Sequence, residues 1–107
     1  MDWQIVWTDP AAVAFEEAIR YIAEQNPAAA DAMRISILDR VQNLAQFPFI
    51  GPKYEPDLSG RVREIVCSPY RIFYRVDEPS KTIEVLTVWH SSRMEPKLPN
   101  RSRSGSH

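Results

Sequence analysis

Apolar residues recur along the chain at two different periods, and the switches between them divide it into elements. Trp3, Ile5 and Trp7 alternate within Trp3-Gln4-Ile5-Val6-Trp7, an aromatic and β-branched run that predicts a strand. Phe15, Ile19 and Ile22 then recur at i, i+4 and i+7, with Ala11 and Ala18 nearby and Glu16, Glu17, Arg20 and Glu24 mostly away from that face. This is the period of an amphipathic helix. Thr8-Asp9-Pro10 marks its start. The Asp9 carboxylate is placed to accept from the orphan backbone N–H groups, and Pro10 lacks only an N–H that the first turn leaves unpaired. Asn26-Pro27 repeats the signal and predicts a second helix from about Ala28 to about Gln46. Met33, Ile37, Val41 and Leu44 form its apolar stripe, and Ile35, Leu38 and Ala45 widen it. So short a link between helices implies an antiparallel hairpin.

Beyond the helices the period is lost. Pro48, Gly51, Pro52, Pro56 and Gly60 forbid long regular structure, while Phe47, Phe49, Ile50, Tyr54 and Leu58 are too apolar for a free linker. An ordered loop is expected. Strands follow at Arg61 to Val66, Tyr70 to Val76 and Thr82 to Trp89, with Asp77-Glu78-Pro79-Ser80 as a turn. Their short connections predict an antiparallel meander. Two amphipathic helices and a one-faced sheet need each other as cover, so the expected class is α+β in the order β-α-α-β-β-β. Residues 1–99 suffice for one domain, and 100–107, rich in Ser, Arg and Gly, read as a disordered tail or a cloning remnant.

Composition narrows the setting. No apolar run approaches the ~20 residues of a membrane helix. The first residues lack the basic-then-apolar layout of a signal peptide, and the single cysteine, Cys67, has no internal disulfide partner. A cytoplasmic protein is expected. Cys67, between Val66 and Ser68, reads as a buried strand residue in preference to a catalytic thiol, since nothing beside it lowers its pKa. Net charge is -1, but it is segregated: residues 1–60 hold four cations against nine anions, and residues 61–107 nine cations against five anions. A basic half attracts phosphate or an acidic peptide even in a near-neutral chain.

Two constellations carry chemistry. Alternation on the central strand puts Arg71, Phe73 and Arg75 on one side, with Arg63 of the preceding strand expected on the same face. Guanidiniums flanking a ring suit phosphate or carboxylate. The competing reading, slightly favoured by spacing, pairs these arginines with Glu64 and Glu84 across a solvated face. The other constellation is Trp89-His90-Ser91-Ser92-Arg93, where His90 is a candidate acid or base without a visible orienting partner. One useful histidine and one cysteine are too few for a zinc site, no glycine loop cradles phosphate, and no cofactor is implied. The residues alone leave enzyme and binding module both open.

The stretch Ser68-Pro69-Tyr70-Arg71-Ile72-Phe73-Tyr74-Arg75-Val76-Asp77 resembles the signature of the RelE/ParE toxin family: a Tyr-Arg-apolar-apolar-Tyr strand, an acidic turn, then an apolar strand. Here that last strand ends in His90 and Arg93, similar to the His-x-x-Arg end of ParE-like members. Thr8-Asp9-Pro10-Ala11-Ala12 also resembles the family. The resemblance implies two helices on a curved antiparallel sheet, a cognate antitoxin that joins the toxin in a hetero-oligomer, and a role in growth arrest or plasmid stabilisation. It implies no membrane partner.

The resemblance also implies two alternative activities. RelE-like members cleave mRNA on the ribosome with basic and acid–base residues. Arg71 matches their phosphate-binding arginine, and His90 is the candidate acid or base. The basic pair of the preceding strand falls near Val62 and Glu64, one step from Arg61 and Arg63, and the C-terminal arginine and tyrosine fall near Ser91 and Lys97. ParE-like members poison DNA gyrase by protein contact and are not nucleases. The missing RNase positions and a net charge too low for strong counterion release place the gyrase poison ahead. In that reading Arg61, Arg63, Arg71, Arg75 and Arg93 contact the target or antitoxin. A module that only binds antitoxin is the third alternative.

Overall fold

The computed structural model describes residues 2–93 and Leu98. The elements are β1 (Gln4–Trp7), α1 (Asp9–Gln25), α2 (Pro27–Asn43), β2 (Val62–Cys67), β3 (Tyr70–Asp77) and β4 (Thr82–His90). They form a four-stranded sheet in the order β1-β4-β3-β2. The expected meander of β2, β3 and β4 is antiparallel throughout. The expected antiparallel sheet holds except at one edge, where β1 runs parallel to β4. A parallel neighbour needs a long crossover, and the helical hairpin with its loop and the β2–β3 pair supplies one.

Capping explains the helix boundaries, with one correction. Thr8, not Asp9, is the N-cap of α1: its Oγ1 accepts from Ala11 N–H at 3.3 Å and donates to the Val85 carbonyl at 2.7 Å. The hydroxyl therefore caps the helix and ties it to β4. Asp9 is already helical, in the first turn, where a carboxylate still suits the helix dipole. Asn26 serves both helices. Its N–H donates to Ile22 O at 2.8 Å, closing α1, and its Oδ1 accepts from Ala29 N–H at 3.1 Å, opening α2. One residue thus makes the hairpin bend.

The main core lies between the helices and one sheet face. Phe15 and Ile19 of α1 and Ile37 and Val41 of α2 pack on Ile72, Val85 and Val88. Leu44, Tyr74, Val76 and Ile83 extend it toward the loop. Ile35 and Leu38 do not widen the stripe as expected, being 60% and 41% exposed. At about 100° per residue, they stand roughly 200° and 100° around the helix from buried Ile37.

A third cluster covers the other sheet face: Tyr54, Val62, Phe73 and Leu86, with Trp89 and Leu98 against it. The loop between α2 and β2 reaches that face around the β2 edge. Tyr54 N–H donates to Val62 O at 2.9 Å and Glu64 N–H to Pro52 O at 3.1 Å, and the Tyr54 ring meets Phe73 edge-on at 4.8 Å. Both sheet faces are consequently covered over much of their area.

Candidate functional site

The guanidiniums of β3 make up the candidate phosphate platform. Arg71 and Arg75 do stand on the face away from the helices, with Phe73 between them. Arg71 Nε lies 2.9 Å from Glu64 Oε1, and its guanidinium sits 4.8 Å from the Phe73 ring centre. Arg75 Nη1 lies 3.1 Å from Glu84 Oε1, and Arg75 is only 6% exposed. Both carboxylates come from neighbouring strands, Glu64 opposite Phe73 and Glu84 opposite Arg75. The pairing reading describes this face, but the face is not solvated: the Arg71–Glu64 pair is mostly buried and Arg75 is within the protein.

Arg63 is elsewhere, correcting the expectation that it shares that face. It stands opposite Tyr74 in the β2–β3 register, and residues opposite each other point to the same side. Its Nη1 donates to the carbonyls of Gly51 at 2.7 Å and Phe49 at 3.2 Å, with the Phe49 ring 5.1 Å away. Arg63 thus clamps the loop. Arg61 is exposed, and its backbone carbonyl accepts from Val76 N–H at 3.0 Å. Together with Lys53, Arg61 and Arg63 line a shallow depression of about 220 Å³ beside Glu78. The basic residues around β2 and β3 therefore form two groups and not one.

The end of β4 holds a larger cleft, about 630 Å³, between that strand and α1. Ala14 and Ala18 leave room on the helix side, and Tyr21, Tyr70, His90 and Arg93 bring polar groups to it. His90 is opposite Tyr70 in the β3–β4 register, with the two rings edge-to-face at 5.2 Å. Its Nδ1 accepts from Ser92 N–H at 3.1 Å and lies 2.7 Å from Ser92 Oγ. His90 therefore does have orienting partners, contrary to expectation. Burial pushes the Tyr70 phenol above the ordinary tyrosine value, while the nearby Arg93 charge pulls the other way. The Arg93 guanidinium lies 5.8 Å from the Trp89 ring centre.

Tyr70 and Tyr21 were not among the candidate site residues. For Tyr70 the signal was concealed by a β-bulge. Register runs from Asp77↔Thr82 to Tyr74↔Val85, then shifts so that Phe73 meets Thr87. Leu86 is the extra residue. Counting back from the turn without it puts Trp89, not His90, opposite Tyr70.

Cys67 is buried, with Sγ 3.9 Å from Met33 Sδ, as expected of a structural strand cysteine. Among the described residues no helix is long and apolar enough to cross a membrane, and no group of three His, Cys, Asp or Glu is arranged to hold a metal. Lys97 and the 100–107 segment lie outside the described residues.

Residues 5–95 match the family model described as ParE toxin of type II toxin-antitoxin system, parDE. The chain belongs to the ParE toxin family. It is similar to "Putative toxin Y4kP" of Sinorhizobium fredii (strain NBRC 101917 / NGR234), at 33% identity over 97 residues, 89% of this chain and 95% of that protein. Its fold resembles a chain of the chromosomal ParDE TA system from P. aeruginosa, with a TM-score of 0.68, 22% identity, and 82% and 95% of the two chains covered. It also resembles a chain of the toxin-antitoxin complex RelBE2 from Mycobacterium tuberculosis, with a TM-score of 0.60, 17% identity, and 84% and 99% covered. As a ParE-family toxin, the chain carries its Tyr-Arg strand as β3 and its His-x-x-Arg end where β4 leaves the sheet.

Proposed function

We propose that this ParE-family toxin arrests growth in the cytoplasm by poisoning DNA gyrase through protein–protein contact, and that a cognate antitoxin neutralises it in a hetero-oligomer. The observation that carries this reading is the placement of Arg71 and His90 on opposite faces of the sheet. Arg71 stands opposite Trp89, and the next pair along is Tyr70 with His90. A nuclease needs its phosphate-binding arginine and its acid or base within hydrogen-bond reach of one substrate. Separation by the thickness of a sheet argues against that use of these residues. The Arg71 guanidinium is also engaged by Glu64, which weakens its claim on a phosphate. A binding protein needs no such convergence.

Purified toxin is expected to inhibit gyrase supercoiling of relaxed plasmid and to trap cleaved DNA. Supercoiling that proceeds unchanged at a large excess of toxin rejects the proposal. Primer extension on mRNA from induced cells separates the alternative. Cuts that vanish in Arg71→Ala or His90→Ala would establish the ribosome-dependent nuclease in its place, and growth unaffected by induction without antitoxin would leave only an antitoxin-binding module.

A further inference from the structure

The cleft between α1 and the end of β4 presents donors that no described residue matches. Tyr70 is only 5% exposed, and among the described residues its hydroxyl has no hydrogen-bond partner. Buried hydroxyls are ordinarily paired. This one belongs to a ring that lines the cleft and lies close enough to Arg93, on the same walls, to feel its charge. His90 adds a second donor. Because Nδ1 accepts from Ser92 N–H, the neutral ring carries its proton on Nε2. The Arg93 guanidinium is the third, held beside Trp89. Ala14, Ala18 and Val88 make the remaining wall apolar, and among the described residues Glu17 is the single carboxylate there.

We propose that this cleft seats one carboxylate side chain of the antitoxin, its oxygens taken by Arg93, the Tyr70 hydroxyl and His90 Nε2–H, with an apolar flanking residue covering Ala14, Ala18 and Val88. The proposal rests on the toxin–antitoxin reading above. A guanidinium beside neutral donors suits a carboxylate in geometry and charge. A polyanion fits poorly, because Glu17 lines the cleft and residues 1–60, which include the helix forming its wall, hold nine anions against four cations. Arg71 and Arg75 are weaker anchors, since Glu64 and Glu84 already neutralise them. The volume suits a side chain with its neighbours and not a globular surface.

The test is calorimetric titration of the toxin with the protein encoded by the adjacent reading frame. Arg93→Gln is expected to weaken binding about tenfold or more, and Tyr70→Phe, which keeps the buried ring, about fivefold. Arg20→Gln, outside the cleft, is the control and is expected to bind as wild type. Among Asp→Asn and Glu→Gln variants of the partner, one is expected to lose affinity non-additively with Arg93→Gln. Binding by both cleft variants within about twofold of wild type overturns the proposal, as does the lack of any coupled partner carboxylate. Failure of the wild-type toxin to bind defeats the antitoxin reading itself, and appears before any substitution is made.

Discussion

Arg75 and Glu84 face each other across β3 and β4 as register partners, with 3.1 Å between Nη1 and Oε1, and the arginine side chain is 7% exposed. A cation this far from water depends heavily on the carboxylate beside it. The same geometry that disqualifies Arg75 as an open binding residue makes it a structural one.

Removing one partner should therefore cost more than removing both. Glu84→Leu alone is expected to destabilise the protein by about 3–5 kcal/mol, by leaving a buried cation, whereas Arg75→Met with Glu84→Leu should recover most of that loss. Urea denaturation of the four members of the cycle measures the coupling. Strict additivity would show that the two side chains do not depend on each other. It follows that charge reversal at Arg75 reports on folding before it reports on any partner.

Local signals were legible and inter-strand ones only partly so. Proline after Asn26 and the alternation of Tyr70, Ile72, Tyr74 and Val76 act within a few residues, so the hairpin bend and the helix-facing side of β3 could be read directly. The side of Arg63 was also countable. The two-residue turn pairing Cys67 with Tyr70 puts Arg63 opposite Tyr74, yet one step of parity moves a side chain to the other face. The pairing of His90 with Tyr70 was not countable, because no glycine or proline between Thr82 and His90 marks Leu86 as the extra residue. Nor did the sequence reveal that β1 runs parallel to β4, a choice made by distant contacts. The Thr8 cap was missed because Asp9 is an equally good capping residue one position on. What favours Thr8 is the Val85 carbonyl, 77 residues away.

That double role makes Thr8 worth more than an ordinary cap. Thr8→Ala removes an acceptor for Ala11 N–H and the donor to Val85 O together, and is expected to cost about 2 kcal/mol. Thr8→Ser keeps both bonds and should recover most of the loss. Thermal or urea denaturation distinguishes them, and equal stability of the alanine and serine variants would show that neither bond matters.

Gly51 is required for a different reason. Its N–H donates to the Tyr74 hydroxyl at 3.0 Å, and a Cβ there would collide with the Glu64 backbone carbonyl and approach Tyr74 Oη to 2.8 Å. Backbone cannot swing aside as a long side chain can. Gly51→Ala is expected to lose about 1–3 kcal/mol, with the loop pushed off the β2 edge. Faster amide exchange at Tyr54 and Glu64, whose N–H groups hold that edge, is the local check. Unchanged stability and unchanged protection would mean that the loop relaxes freely.

Alkaline pH should test the buried tyrosines. Burial raises the Tyr70 and Tyr74 phenols above the ordinary value of about 10. The Gly51 N–H and the Arg63 charge oppose this at Tyr74, and the Arg93 charge opposes it at Tyr70. A group whose pKa is higher when folded holds its proton more tightly in the native state. Its contribution is then complete below the unfolded pKa and is lost as pH rises through the folded one. Stability should accordingly fall above about pH 10, and the late fraction of phenolate absorbance should appear together with unfolding. Tyr70→Phe and Tyr74→Phe should each remove part of that late fraction and flatten the alkaline loss. Tyr74→Phe should also lower stability at neutral pH, since it deprives Gly51 N–H of its acceptor. Ionisation of all four tyrosines near pH 10 in a protein still folded by circular dichroism would show that neither ring is shielded from water.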